Sequence, residues 1–254
     1  MTASSSATRG RPEAPASSSA TRDRHNNSVM QARHEPPDSL DFFPTPPWAT
    51  RAFVAHILKA KLGAHRNDTV WEPACGKGHM AEPLRENFKT VHASDIFPYG
   101  HGRTCDFLHD VPPMAKLPQW IVTNPPFNLA VEFARRALDL STEGVCLLVR
   151  VQWLATIQRY HLFTERRPYL VAVCAERVPM HRGEWKPDGS TTTDYAWVCW
   201  KQIEHVSTTL LDWVPPGCRA AFTKADDALR FAKLAGAPLL DEAALNEPMP
   251  EDAA

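Results

Sequence analysis

The chain has 254 residues, 43% of them hydrophobic and 22% charged, with a formal net charge of −1. That length allows one domain of ordinary size with appendages, and the apolar share is enough to bury a core. The near-zero charge excludes a protein that coats nucleic acid uniformly, and the lack of an apolar run of about 18 residues excludes a transmembrane helix and predicts no membrane partner.

Residues 1–38 are rich in Ser, Ala, Thr, Pro and Arg and show no hydrophobic periodicity. They read as a disordered tail, and their five arginines are nearly matched by Glu13, Asp23, Glu35 and Asp38. No apolar signal segment opens the chain, so a cytoplasmic location is expected. The six cysteines, at 75, 105, 146, 174, 199 and 218, include no CxxC pair. They read as buried reduced thiols, and no metal site is expected.

Order begins near Leu40. Asp41–Trp48 is stiffened by three prolines, and Ala49, Phe53, Ile57 and Ala60 then share one helical face. Thr69–Trp71 is a short strand, Met80–Phe88 a helix with Pro83 in its first turn, and Val91–Ser94 a strand ending at Asp95. Arg103–Cys105 is a weak strand, Trp120–Thr123 a stronger one, and apolar residues recur at helical spacing from Ala130 to Leu138. Val145–Val149 is a continuous apolar strand, as expected where both faces are covered. Residues 154–166 read as a helix, and Tyr169–Cys174 and Tyr195–Trp200 as two strands joined by a long polar loop. Thr223–Asp226 resembles a capping box for a helix ending near Gly236.

The alternation predicts an α/β fold: a mainly parallel sheet with helices on both faces and one antiparallel strand. The expected organisation is a catalytic domain over 39–203, a one-helix extension over 204–236 and an acidic tail over 237–254. The stretch 236–254 carries five acids and no Lys or Arg, so the remainder is net basic.

Gly76-Lys-Gly-His-Met-Ala81 follows a strand and opens a helix, with Asp95 placed 17 residues after Gly78 at the next strand end. This fits the glycine fingerprint that dehydrogenases and methyltransferases share. Glycines allow close backbone approach to a ligand, and the acid can bond ribose hydroxyls. Glu72-Pro73, just before, shifts the balance. A carboxylate there would repel a pyrophosphate and suit a ligand with an ammonium and a sulfonium. That favours S-adenosylmethionine over a nicotinamide cofactor.

Asn124-Pro-Pro-Phe127 lies at the carboxyl end of a strand, where open α/β sheets bind ligands. Two prolines hold a rigid loop that presents the Asn124 amide and the Pro125 carbonyl. Both can accept from an exocyclic amine and so aim its lone pair at a methyl donor. Phe127 offers a face for a flipped base.

Phe43-Pro-Thr-Pro46, Glu72–Gly78, Ser94-Asp95, Cys105-Asp-Phe107 and Asn124–Phe127 together resemble the class I S-adenosylmethionine-dependent DNA N6-adenine methyltransferases of the phage and prophage type. The likeness spans residues 41–127, with Tyr195–Trp200 similar to the last core strand. It implies a Rossmann-like, seven-stranded fold and S-adenosylmethionine as cofactor. It also implies roles. Thr45 and Pro46 would contact the methionine end of the cofactor, with Glu72, Ala74, Gly76 and Gly78 around it. Asp95 would bond the ribose and Asp106 the cofactor adenine amine. Asn124, Pro125, Pro126 and Phe127 would form the catalytic loop. Lys77, where the family commonly has a small residue, is expected to point outward. RNA adenine, cytosine N4 and a glutamine amide present the same kind of amine and remain alternative substrates.

A DNA partner needs a basic patch. Residues 150–186 hold Arg150, Arg159, Arg166, Arg167, Arg177, Arg182 and Lys186 against three acids, interleaved with Trp153, Tyr160 and Trp185. The loop Val178–Thr193 is expected to overhang the substrate pocket, with Arg182, Trp185 and Lys186 as its nucleic-acid contacts. Residues 201–254 are too few for a separate recognition domain, so a short or relaxed target sequence is expected.

Overall fold

The computed structural model describes residues 41–203 and 206–235. The tails expected over 1–38 and 237–254 lie outside the described residues. Helix α1 (Pro47–Phe53) begins with a proline at its first position, where no N–H is needed, and runs into a π-helical turn over Val54–Lys59. Strand β1 (Thr69–Glu72), helix α2 (Ala81–Arg85) and strand β2 (Thr90–Asp95) form the first βαβ unit. Strands β3 (Arg103–Thr104) and β4 (Trp120–Thr123), helix α3 (Ala130–Leu140) and strand β5 (Gly144–Arg150) follow. A 3-10 turn (Val151–Leu154) leads to helix α4 (Ile157–Glu165), strands β6 (Leu170–Cys174), β7 (Tyr195–Lys201) and β8 (Leu210–Val214), and helices α5 (Cys218–Phe222) and α6 (Asp227–Ala235).

The strands form one sheet in the order β3-β2-β1-β4-β5-β7-β6-β8. Every neighbouring pair is parallel except those of β7, which runs antiparallel to both β5 and β6. The expected antiparallel hairpin is therefore β6–β7. The expected count of seven strands is corrected to eight. β8 pairs in parallel along the whole of β6, from Leu170↔Leu210 to Cys174↔Val214, so the sheet continues into what reads from sequence as a one-helix extension.

The side chains of β5 show why its run is uninterrupted. Cys146 and Leu148 enter the layer beneath α1, while Val145, Leu147 and Val149 enter the layer beneath α3. Strand side chains alternate faces, so a strand covered on both sides has no position left for a polar residue. On the first face Phe53 stacks on Trp197 with ring centroids 3.8 Å apart. On the second, Phe133, Ala134, Ala137 and Leu138 of α3 bury the helical stripe seen in the sequence.

α6 is tied to α1 by charge. The Arg51 guanidinium donates to both oxygens of Asp227 at 2.7 Å and to both oxygens of Glu86 at 2.8 and 2.9 Å. The N-terminal cap of α6 differs from the one expected. The Asp227 carboxylate accepts from Lys224 N at 2.9 Å, while the Thr223 hydroxyl turns back to the Arg219 carbonyl at 2.6 Å. α5 is a short helix with no counterpart among the expected elements; Thr223 closes it.

Chain order runs outward from β1 to β2 and β3, then returns to β4 on the other side of β1. The carboxyl ends of β1 and β4 thus flank a topological switch point, the place where such sheets bind ligands. Glu72 ends β1, Asp95 ends β2, Asn124 follows β4 and Arg150 ends β5.

Candidate active site

The turn after β1 depends on two left-handed glycines, Gly76 (φ 50°) and Gly78 (φ 85°). It is closed by Gly78 N to Cys75 O (2.7 Å) and fastened to β2 by Cys75 N to Ser94 O (2.9 Å). Asp95 completes it: one carboxylate oxygen accepts from Gly76 N at 2.8 Å, the other from Phe97 N at 3.0 Å. The Phe42 ring sits where a Gly76 Cβ would point, and the His101 ring lies 2.5 Å from a Cβ built on Gly78. Glycine at both positions thus makes room for two rings that are distant in sequence.

Beside this turn lies a cavity of about 290 Å³. It brings together Thr45, Glu72, Ala74, Asp95, Asp106, Asn124 and Pro126 of the predicted set. Pro46, Gly76, Gly78, Pro125 and Phe127 are not in its lining. Asp41, Phe42, His79, Ile96 and Tyr99 line it in addition to the predicted set. Phe42 stacks on Tyr99 with centroids 4.7 Å apart, forming one wall.

The cavity's electrostatics are acidic on one side. Glu72 is 2% exposed, and its Oε2 is buried with no hydrogen-bond partner. Burial first, and then the nearby Asp95, push the Glu72 carboxyl well above the usual range, against a hydrogen bond from the Ala81 backbone. Burial raises Asp95 as well, partly offset by its backbone donors. Asp106, at the rim, goes the other way. A hydrogen bond with His109 Nδ1 (2.9 Å) holds it below the carboxylate norm, and Leu108 N adds a second donor at 3.0 Å.

His79 is 2% exposed, lies between Phe42 and Phe231, and has no partner at either ring nitrogen. Burial, then Lys77 and His101, lower it to about 3, so it is neutral. Lys77 does not point outward as expected; it is only 5% exposed, and burial lowers its pKa.

Asn124 is held from one side only. Its Nδ2 donates to Phe43 O at 3.0 Å and Thr45 Oγ1 at 3.2 Å, with Met180 Sδ at 3.5 Å. A carbonyl only accepts, so Phe43 sets which way the amide faces. The consequence is a buried Asn124 Oδ1 with no partner. The loop is braced further by Phe127 N donating to Asp41 Oδ2 at 2.6 Å. Thr45, assigned from the resemblance to the cofactor, therefore also orients Asn124.

Phe127 does not present a bare face. Its ring packs against Phe43 (centroids 5.1 Å apart), and the Arg150 guanidinium lies 4.0 Å from its centroid. The Val178–Thr193 loop does cross the 41–45 segment: Gly183 N donates to Phe42 O at 2.9 Å, and Met180 reaches Asn124. Its predicted contacts fare unequally. Arg182 is exposed, and Lys186 is exposed but pairs with Glu184 at 2.7 Å. Trp185 is 6% exposed, edge-on to Phe231 at 6.1 Å, so it packs inward instead of overhanging the pocket.

Among the described residues no group of His, Cys, Asp and Glu is arranged to hold a metal ion, and no helix is long and apolar enough to cross a membrane.

No family model and no curated protein matches the chain. Solved structures do. A protein from Listeria monocytogenes described as a class I S-adenosylmethionine-dependent methyltransferase superposes with a TM-score of 0.52 at 12% identity, covering 80% of this chain and 73% of its own. A structure described as the modification subunit of a type I restriction enzyme from Vibrio vulnificus gives 0.47 at 13% identity, covering 76% of this chain and 52% of its own. One described as an RNA methyltransferase from Pyrococcus horikoshii gives 0.47 at 13% identity, with 67% and 91% covered. The chain spans about half the length of the Vibrio subunit. The fold is the Rossmann-like fold of class I methyltransferases, a mainly parallel sheet with one antiparallel strand.

Proposed function

We propose that the chain transfers a methyl group from S-adenosylmethionine to the N6 amine of adenine in DNA. The observation that carries the reading is the Asn124 amide. Its Nδ2 is engaged by Phe43 and Thr45, and its Oδ1 is buried, unpartnered and beside the cavity. A buried acceptor without a donor costs about 1–3 kcal/mol, a cost that an exocyclic amine would relieve on binding. By the resemblance, the Pro125 carbonyl would be the second acceptor for that amine, so that both N–H bonds would be held and the lone pair aimed at the methyl donor.

The cavity residues fit the cofactor. Bound S-adenosylmethionine supplies a methyl on a sulfonium, the electrophile of a direct displacement. The unpartnered Glu72 Oε2 and the neighbouring Asp95 would face the cationic groups, and both acids gain by neutralisation. Asp95 already accepts two backbone N–H bonds and keeps lone pairs for ribose hydroxyls. Asp106, fixed by Leu108 N and His109, would accept from the cofactor's adenine amine. Catalysis would then rest on holding the amine lone pair in line with the methyl, a matter of proximity and orientation.

Adenine in DNA is proposed as the substrate on the Asn124–Phe127 loop together with the basic residues after β5. Transfer of labelled methyl to duplex DNA, single-stranded DNA, RNA and protein, assayed side by side, tests it. Incorporation into DNA is expected. Incorporation into RNA or protein alone would replace the substrate and keep the reaction.

A further inference from the structure

The basic stretch 150–186 does not behave as one surface. Arg166 pairs with Asp139 (3.3 Å), Arg177 with Asp194 (3.5 Å) and Lys186 with Glu184 (2.7 Å). Arg150 and Arg159 make no ion pair to a described residue. The Nε of each is buried without a hydrogen-bond partner, and so is the indole Nε1 of Trp153 between them. All three are N–H donors, and they fall within ten consecutive residues. Aromatic rings hold the two guanidinium groups in place: Arg150 lies over Phe127 at 4.0 Å, and Arg159 lies 5.5 Å from the Trp153 centroid. Arg159 Nη1 is braced by Thr156 Oγ1 at 2.8 Å. Buried polar groups nearly always find partners, and unpartnered donors at the end of β5, in the 3-10 turn and in the first turn of α4 suit an acceptor-rich occupant.

The position of residues 150–159 says which one. Arg150 ends β5, the strand beside β4, and its guanidinium touches Phe127 of the loop that carries Asn124. Phosphodiester oxygens carry charge and only accept, and the arginine fork matches them. Resting on the nucleic-acid reading of the site, we propose that residues 150–159 form the phosphate-contact ridge for the strand carrying the target base. Arg150 and Arg159 each engage a phosphodiester, and the loop at 182–186 contributes little. Arg150 also holds the face of Phe127 until a base takes it.

The test is the salt dependence of binding by the full chain to duplex DNA, with RNA of the same sequence as a second arm. Arg150→Met and Arg159→Met keep an apolar stem and lose the charge. Each is expected to lower the slope of log affinity against log salt by about 0.9, which makes the loss of affinity between 50 and 200 mM salt about three- to four-fold smaller. Arg150→Lys and Arg159→Lys should restore the slope, and Lys186→Met should leave it unchanged. Unaltered affinity for S-adenosylmethionine in each variant shows that the fold is kept. Unchanged slopes in both Met variants would overturn the ridge while leaving the methyltransferase reading intact. Wild-type protein that binds neither DNA nor RNA would overturn the ridge and the nucleic-acid reading it rests on. The same slope changes on RNA alone would support the ridge and move the substrate to RNA.

Discussion

The substitution Glu72→Gln should have opposite effects on the ligand-free protein and on its complex. Glu72 is fully buried, its Oε2 has no partner, and burial together with Asp95 raises its pKa. A carboxyl whose folded pKa lies above the unfolded value loses stability as pH rises from the unfolded pKa through the folded one. The substituted amide does not ionise, so the variant should match the wild type near pH 4.5 and exceed it at neutral pH. The gain at neutral pH is about 1.4 kcal/mol for each unit by which the folded pKa is raised, and for a fold of this size each kcal/mol corresponds to about 2–4 °C in melting temperature. With S-adenosylmethionine the order should invert. Losing a charge-assisted contact worth about 1.5–3 kcal/mol lowers affinity about ten- to hundred-fold. Thermal melts from pH 4.5 to 8, with and without cofactor, and calorimetry at neutral pH measure both effects. A variant that melts below the wild type at neutral pH, or binds cofactor equally well, would refute the assignment of Glu72 as a carboxylate awaiting a cation.

Asp95→Ala should impair both the turn and the cofactor site, since it removes the acceptors for Gly76 N and Phe97 N; calorimetry should show weaker cofactor binding together with a lower melting temperature. Arg51→Ala leaves Asp227 buried and uncompensated, and should cost about 3–5 kcal/mol by denaturant unfolding. The same cluster sets an acid limit. Burial alone would raise Glu86, but Arg51 and Lys224 hold it at about 2 against a reference of 4.5. Its contribution is complete above 4.5 and is lost as pH falls towards 2, so acid melts of the wild type should steepen in that window and those of Arg51→Ala should not.

The strands that were legible in the sequence are those covered on both faces. β4 and β5 read as apolar because residues 120–122 and 145–149 enter the two core layers on alternate faces. β8 did not read as a strand. It is an edge strand with Leu210, Leu211 and Trp213 exposed, and what makes it a strand is its pairing with β6 about 40 residues earlier. The π-helical turn after α1 has no local mark in the sequence.

That Glu72, Asp95 and Asn124 meet at one cavity was legible because each sits at or just after the end of its own strand. What converges from a distance was not. Phe42 over Gly76, and the Asp41 carboxylate on Phe127 N, depend on the 41–45 segment crossing the sheet edge. Trp185 reads as a stacking residue from its polar neighbours, yet it is buried because α6 returns to place Phe231 against it. His79 falls inside the glycine motif, and nothing in the pattern shows that both of its nitrogens are left unpartnered.

The most direct test incubates purified protein and S-adenosylmethionine with DNA, digests the product to nucleosides and identifies the methylated one by mass spectrometry, with Asn124→Ala in parallel. The account predicts N6-methyladenine from the wild type. It predicts none from the variant, which should retain cofactor affinity because the role proposed for Asn124 Oδ1 is to hold the substrate amine. Methylation at another position, or an Asn124→Ala protein with near-normal turnover, would contradict it.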